Sequence, residues 1–267
     1  MMAKHILITG STDGIGKLAA LQLGQEGHII YLHGRKQEKL SRVIAEIKQQ
    51  SNNENIKGFV ADFSDLAAVQ LLAQQVKAEV PQLDVLINNA GVFKSPVATN
   101  KDGLDLRFVV NYFAPYLLTK ALISTLEKGI KPRIINLSSA AQAPISYAAL
   151  HGKTQLSTQE TYAQSKLAIT MWSFSLAKEL QNIQVIAVNP GSLLNTNMVR
   201  EGFGYHRSSA DKGADILYDL AISPNYEGVT GEYFDNDRGA FGRAHGEAYR
   251  EAALEKLASE TKLIIKE

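Results

Sequence analysis

The sequence predicts an α/β fold, a doubly wound parallel sheet in one domain over residues 1–267, with helices on both faces. Three observations carry this expectation. Short apolar runs alternate with longer helical stretches along nearly the whole chain, the pattern of repeated strand–helix units. Each run stays apolar throughout, as strands do when both faces of a sheet are covered. A glycine-rich segment, Thr9-Gly10-Ser11-Thr12-Asp13-Gly14-Ile15-Gly16, stands between the first run and the first helical stretch. No linker, repeat or low-complexity tract divides the chain.

The elements follow in order. Residues 4–9, rich in Ile and Leu, read as a buried strand ended by Gly10. Ile15, Leu18, Ala19, Leu21 and Leu23 suit a helix that Gly27 closes. Strand 28–32 leads to a polar helix over 36–50, and strand 56–61 to a helix over 65–80. Strand 85–87 precedes a long helix over 104–127, and strand 133–137 a long helix over 160–180. After strand 185–188 come a helix over 210–221, a strand at 232–234 and a last helix over 246–258. Segments 140–161 and 192–209 are the least regular and are expected on the substrate side.

Composition narrows the function. Lys and Arg number 28 and Asp and Glu 27, so the charge balance gives no nucleic acid or acidic membrane as partner. The absence of cysteine excludes disulfides, thiol nucleophiles and cysteine-ligated zinc. The histidines, at 5, 28, 33, 151, 206 and 245, form no HxH or HxxxH pair, so no metal site is expected. Ile6-Leu7-Ile8 follows the N-terminus with no signal-peptide regions, and no apolar run is long enough to span a bilayer. The expectation is a soluble, cytoplasmic protein. Asn136-Leu137-Ser138 matches a glycosylation sequon but falls on a predicted buried strand.

Gly10, Gly14 and Gly16 allow a tight turn in which backbone N–H groups approach a pyrophosphate, helped by the positive end of the helix. The position in the first strand–helix turn is the context that separates a dinucleotide site from an ordinary glycine turn. The second strand ends His33-Gly34-Arg35-Lys36. A carboxylate there holds the ribose 2′-OH of NAD, whereas arginine accommodates a 2′-phosphate. The two cations therefore predict NADP(H), with Arg35 as main anchor and Lys36 helping, although they also suit a solvated first helical turn. Asp13 argues against a phosphate nearby.

Tyr162 and Lys166 stand four residues apart, on one face of a helix. A free phenol is a poor acid near neutral pH, and an adjacent ammonium is expected to lower its pKa and fit it for acid–base work on an alcohol or carbonyl. Tyr116 and Lys120 repeat the spacing.

With these segments in view the chain resembles the short-chain dehydrogenase/reductase family over almost its full length, and so implies a Rossmann fold. The turn from Thr9 to Gly16 matches the family's TGxxxGxG cofactor loop, which includes Ser11, Thr12 and Ile15. Asp62 stands where the family places an acid against adenine. Asn88-Asn89-Ala90-Gly91 matches its NNAG segment, which lines the cofactor, and Asn189-Pro190-Gly191 its PG turn beside the nicotinamide. Asn111 matches the catalytic asparagine, which holds a proton-relaying water. It also suits a simple hydrogen bond inside a helix. Ser139 matches the serine that bonds the reacting oxygen, with Ser138 as the alternative. Tyr162 and Lys166 match YxxxK, and this order of motifs makes Tyr116 and Lys120 a packing stripe with a solvated lysine. Lys166 is also implied to reach the nicotinamide ribose. Thr196 is the best match to a threonine that bonds the carboxamide.

The resemblance implies a hydride-transferring oxidoreductase acting on a small-molecule carbonyl or alcohol, working as a dimer or tetramer packed through the helices starting near Leu104 and Glu160. Ala140 to Thr161 make a longer insert than the family's commoner pattern. With Val229-Thr230-Gly231-Glu232-Tyr233-Phe234 it is similar to the retinol-dehydrogenase-like branch, whose members take lipophilic substrates. Pro144, Ile145, Tyr147, Leu150 and His151 either shape the pocket or form a surface excursion. Gly202-Phe203-Gly204-Tyr205-His206 suits a mobile lid or a loop packed by its own rings. A non-catalytic NADP(H) sensor and a family member reducing C=C bonds are the alternatives in function.

Overall fold

The computed structural model describes residues 2–266, so Met1 and Glu267, the ends of the predicted domain, lie outside the described residues. Eight strands form one sheet: β1 (His5–Ile8), β2 (Ile29–Gly34), β3 (Ile56–Val60), β4 (Val85–Asn88), β5 (Arg133–Leu137), β6 (Gln184–Asn189), β7 (Glu232–Asp235) and β8 (Ala240–Gly242). Their order is β3-β2-β1-β4-β5-β6-β7-β8, and only β7 and β8 pair antiparallel. The chain winds outward from β1 to β3, then returns to lay β4 on the other side of β1. That switch point opens a crevice at the carboxyl ends of the strands, where ligands of such sheets bind.

Strand residues alternate between two apolar layers. Ile6, Ile8, Ile30 and Leu32 pack toward α1 (Gly14–Gln25), α2 (Gln37–Ser51) and α9 (Ala210–Ile222). Leu7, Tyr31, Leu86 and Ile134 pack toward α3 (Leu66–Glu79), α5 (Ala114–Leu126) and α7 (Thr158–Glu179). Each fully buried aliphatic side chain contributes roughly 1.5–3 kcal/mol.

The structure corrects several boundaries. The predicted helix over 104–127 is α4 (Leu106–Phe108), a π-helical segment over Val109–Phe113, and α5. Pro115 is the physical reason. It has no N–H to give the Asn111 carbonyl, so the regular i→i−4 ladder cannot run through. β2 extends two residues beyond 32, to Gly34. The last helix begins after a 3₁₀ turn at Gly246–Tyr249 and runs longer, as α10 (Glu251–Ile265). The irregular segments hold α6 (Tyr147–Leu150) and α8 (Asn197–Phe203).

The insert is built into the fold. Leu150 is fully buried, Ile145 and Ala149 join the core, and His151 Nε2 meets Glu260 of α10 at 2.6 Å. Lys256 of α10 lies 4.2 Å from the Tyr147 ring centre. α10 docks through Leu254, Leu257 and Thr261, and the Thr261 hydroxyl meets the Tyr112 hydroxyl at 2.7 Å. α7 is consequently buried on all sides from Ala163 to Phe174. The apolar residues of α5 and α7 are thus accounted for within one chain. Among the described residues no helix is long and apolar enough to cross a membrane, and no cluster of potential metal ligands occurs.

Candidate active site

The turn after β1 is shaped by close backbone approach. Gly10 has φ +63°, and a Cβ there would stand 2.7 Å from Ala90 Cα. A Cβ on Gly16 would stand 2.3 Å from Asn89 Nδ2. That amide donates to the Thr9 and Gly10 carbonyls at 2.7 and 3.0 Å. The Asn89 and Ala90 N–H groups both donate to Thr9 Oγ1 at 3.0 Å. The NNAG segment and the glycine turn are therefore one unit across β1 and β4. Ser11, a cofactor residue by its motif, is fully buried. Its hydroxyl donates to the Ile8 carbonyl and its N–H to the His33 carbonyl, so it serves the turn from behind. Thr12 packs against Gly34, where a Cβ would meet its methyl at 2.4 Å.

Asp13 caps α1, accepting from the Gly14 N–H at 2.8 Å, and also takes Lys39 at 2.9 Å and Asn197 at 2.7 Å. Its charge is thus answered by a cation, which removes the sequence argument against a nearby phosphate. Arg35 and Lys36 are exposed directly after β2, and neither is in an ion pair among the described residues. Asp62 is exposed after β3 and accepts from the Ser64 N–H.

The reactive groups meet at the ends of β5 and α7. Ser157 and Glu160 form a reciprocal capping box, which fixes where α7 begins and leaves Tyr162 just inside it. One turn on, Lys166 is 4% exposed and its Nζ donates to the Leu137 carbonyl at 2.7 Å. Nζ also lies 5.7 Å from the centre of the Tyr162 ring. The Ser139 side chain lies beside the Tyr162 phenol, and its Oγ accepts from the Ala141 N–H at 3.1 Å. Ser138 turns inward, bonding Thr170 Oγ1 at 2.6 Å and the Lys166 carbonyl at 3.1 Å. The Ser138 hydroxyl is thus committed away from the phenol, whereas Ser139 lies on the Tyr162 side. The Ser139 carbonyl accepts from Tyr233 and Gln142 at 3.1 and 2.9 Å, a grip the motifs did not reveal.

Asn111 is buried in the π-helical segment and bridges elements. Its Nδ2 donates to the Val92 carbonyl and Ser165 Oγ at 3.1 and 2.9 Å, and its Oδ1 accepts from the Val92 N–H at 2.8 Å. These bonds leave the helical segment for the loop after β4 and for α7. They hold Gly91 so that a Cβ there would lie 3.4 Å from Asn111 Oδ1 and 3.7 Å from Lys166 Nζ.

Pro190 and Gly191 follow β6, and Gly191 has φ +124°. Asn236 donates to the Pro190 carbonyl at 2.9 Å, and Asp237 accepts from Asn189 at 2.9 Å and the Ser192 N–H at 2.8 Å. Thr196 caps α8, accepting from the Val199 N–H, and its methyl faces Gly14. α8 closes down on Phe93, where a Cβ on Gly202 would stand 2.9 Å from the ring. Tyr162, Phe93 and Phe203 make a ladder, with ring centres 5.1 and then 5.0 Å apart, that ends at the exposed Phe203. The glycines between aromatics thus belong partly to a packed helix. The second Tyr-Lys pair is elsewhere. Tyr116 is buried 5.2 Å from Trp172, and Lys120 pairs with Glu179 at 3.1 Å.

The electrostatics differ from the expectation for Tyr162. Burial raises its phenol above the usual value, and the Ser139 hydrogen bond works in the opposite direction. The Lys166 ammonium is spent on a carbonyl and stands off the ring, so desolvation dominates. Burial brings Lys166 itself down to about 8.

A model of the short chain dehydrogenase family matches residues 4–203, which span β1 to α8 and every group described here except Tyr233, Asn236 and Asp237. The chain is 32% identical to human retinol dehydrogenase 13, over 87% of this chain and 76% of that one. It is 30% identical to human polyprenol dehydrogenase over the same shares. A short chain dehydrogenase from Shigella flexneri, solved in complex with NADP, matches with a TM-score of 0.70 at 28% identity, covering 88% of this chain and 97% of that one.

The burial of Lys166 has a measurable consequence. Its folded value of about 8 lies below the ordinary 10.5. Between those pH values the unfolded chain holds a proton that the folded chain has released, so this group's contribution to stability rises with pH. Urea unfolding across that window is expected to show the protein gaining roughly 3 kcal/mol relative to Lys166→Met. A difference that stays flat with pH would put the ammonium in water.

Proposed function

The chain belongs to the short-chain dehydrogenase family, in its retinol-dehydrogenase-like branch, and we propose that it is an NADP(H)-dependent oxidoreductase interconverting a carbonyl and an alcohol. The observation that carries this reading is the meeting of Ser139, Tyr162 and Lys166 beside the cleft at Gly91.

The residues present fit the cofactor. N–H groups at Ile15 and Gly16, at the positive end of α1, suit a pyrophosphate, and Gly14, at φ +54°, turns the chain into them. Arg35 and Lys36 suit the 2′-phosphate, and Asp62 the adenine. Gly10, Ser11 and Thr12 shape the turn. Asn89, Ala90, Gly91, Pro190, Gly191 and Thr196 line the path to the nicotinamide, where Tyr162 and Lys166 reach its ribose. NADPH bound there supplies hydride to the substrate carbon.

Tyr162 gives its proton to the substrate oxygen in reduction, and takes it back in oxidation. Its raised pKa keeps it protonated at neutral pH, the form that reduction needs. Lys166, a cation at that pH, stabilises the phenolate left behind. Ser139 both bonds Tyr162 and fixes the oxygen to be protonated. Asn111 positions Gly91 against Lys166, and Pro115 deprives its carbonyl of a regular helical partner, which favours the water relay the family uses. The ladder from Tyr162 to Phe203 favours a lipophilic substrate, since apolar rings lead from the reacting group to solvent. One copy of the chain holds all these groups.

Absorbance at 340 nm, followed with NADPH and a panel of aldehydes, ketones and enones, tests the reading. Turnover of aldehydes or ketones is expected, and Tyr162→Phe should abolish it while leaving NADPH binding intact. Tight NADPH binding with no turnover by the unaltered protein favours a sensor, and turnover of enones alone favours C=C reduction. In the same assay Arg35→Ala is expected to raise KM for NADPH roughly tenfold or more, the worth of a charge-assisted hydrogen bond. KM for NADH should not move; an equal change for both cofactors would contradict the 2′-phosphate assignment.

A further inference from the structure

His33 takes no part in the chemistry above, yet it grips the glycine turn. It is the penultimate residue of β2 and 2% exposed. The Gly10 N–H points at its Nδ1 from 3.1 Å. A backbone N–H only donates, so Nδ1 carries no proton and accepts. The ring proton therefore sits on Nε2, which donates to the Ala61 carbonyl at 3.0 Å. The ring stacks on Phe63, 4.2 Å between centres. The backbone of the same residue holds Ser11. Its N–H donates to Ser11 Oγ, and its carbonyl accepts the Ser11 N–H, both at 3.0 Å.

Resting on the cofactor reading above, we propose that His33, in its Nε2-protonated tautomer, is a positioning residue for the pyrophosphate: its ring fixes the Thr9–Gly10 peptide from behind. The peptide then cannot turn, and the start of α1 keeps its N–H groups aimed into the cleft. An imidazolium would set N–H against N–H at Gly10 and undo the bond. The charged groups facing the ring are Arg35, just past the end of β2, and Asp62, beyond the end of β3. Burial holds the ring neutral down to about 4, so the tautomer persists at any ordinary working pH.

Imidazole 15N NMR on the unaltered protein reads the tautomer directly. An unprotonated Nδ1 at neutral pH is expected, and a proton there overturns the proposal even if every variant misfolds. His33→Asn keeps an acceptor where Nδ1 stands, whereas His33→Gln keeps a donor where Nε2 stands and loses the acceptor. Fluorescence titration is expected to show NADPH binding weakened roughly tenfold in His33→Gln, the effect of a buried N–H left unpaired. His33→Asn should recover most of it. Neither should change the affinity for adenosine 2′-monophosphate, which has no pyrophosphate. Unchanged NADPH affinity in His33→Gln overturns the proposal, as does equal weakening of both ligands. Absence of NADPH binding by the unaltered protein instead overturns the cofactor reading, and this proposal with it.

Discussion

The hydrogen bond from the Lys166 ammonium to the Leu137 carbonyl ties α7 to the end of β5, and the cleft is arranged around it. Among the described residues no carboxylate pairs with it, and desolvation accounts for the lowered pKa of the lysine. A buried ammonium held by a carbonyl is costly, and a fold keeps one only where the rest of the structure bears the cost. Here the enclosure of α7 by the insert, by α5 and by α10 does so. The same enclosure sets Tyr162 one turn before Lys166, against Ser139, and leaves Gly91 as the open side.

Support from behind recurs at each functional group. The Ser139 carbonyl is held by Tyr233 and Gln142, the turn after β6 by Asn236 and Asp237, and the glycine turn by Asn89 and His33. A polar ladder crosses the sheet as well: Asn88 Nδ2 donates to Thr119 and to Asn136, and Asn136 Nδ2 donates to Ser173. Such groups are stable in a core only when paired, and once paired they fix one arrangement. This ladder also settles the sequon, because Asn136 is fully buried with its amide committed.

The sheet and its helices were legible because the central strands are short, mostly apolar runs that alternate with longer helical stretches. Gly10 and Gly16 were legible because close approach demands glycine. The π-helical segment was not, although Pro115 five residues before Lys120 was its signal in plain view. α6, α8 and β8 are too short to show a period. Ser139 stood ahead of Ser138 only by its place at the strand end, where one residue of rotation decides which side chain faces the cleft. His33 passed as part of a strand, because its role lies in a hydrogen bond to a backbone N–H that no pattern of side chains records. Spacing pointed to a lowered Tyr162 pKa, whereas burial pushes the phenol up, because spacing reports the neighbour and not the burial.

The central claim is that hydride and proton pass to the two ends of one carbonyl bond in this cleft. NADPH deuterated at C4 of the nicotinamide, incubated with the protein and a lipophilic aldehyde or ketone in ordinary water, tests it by mass spectrometry of the product. The account predicts one deuterium on the former carbonyl carbon and a hydroxyl hydrogen drawn from solvent. Deuterium on an alkene carbon, or none in any product while NADPH is bound, would contradict it.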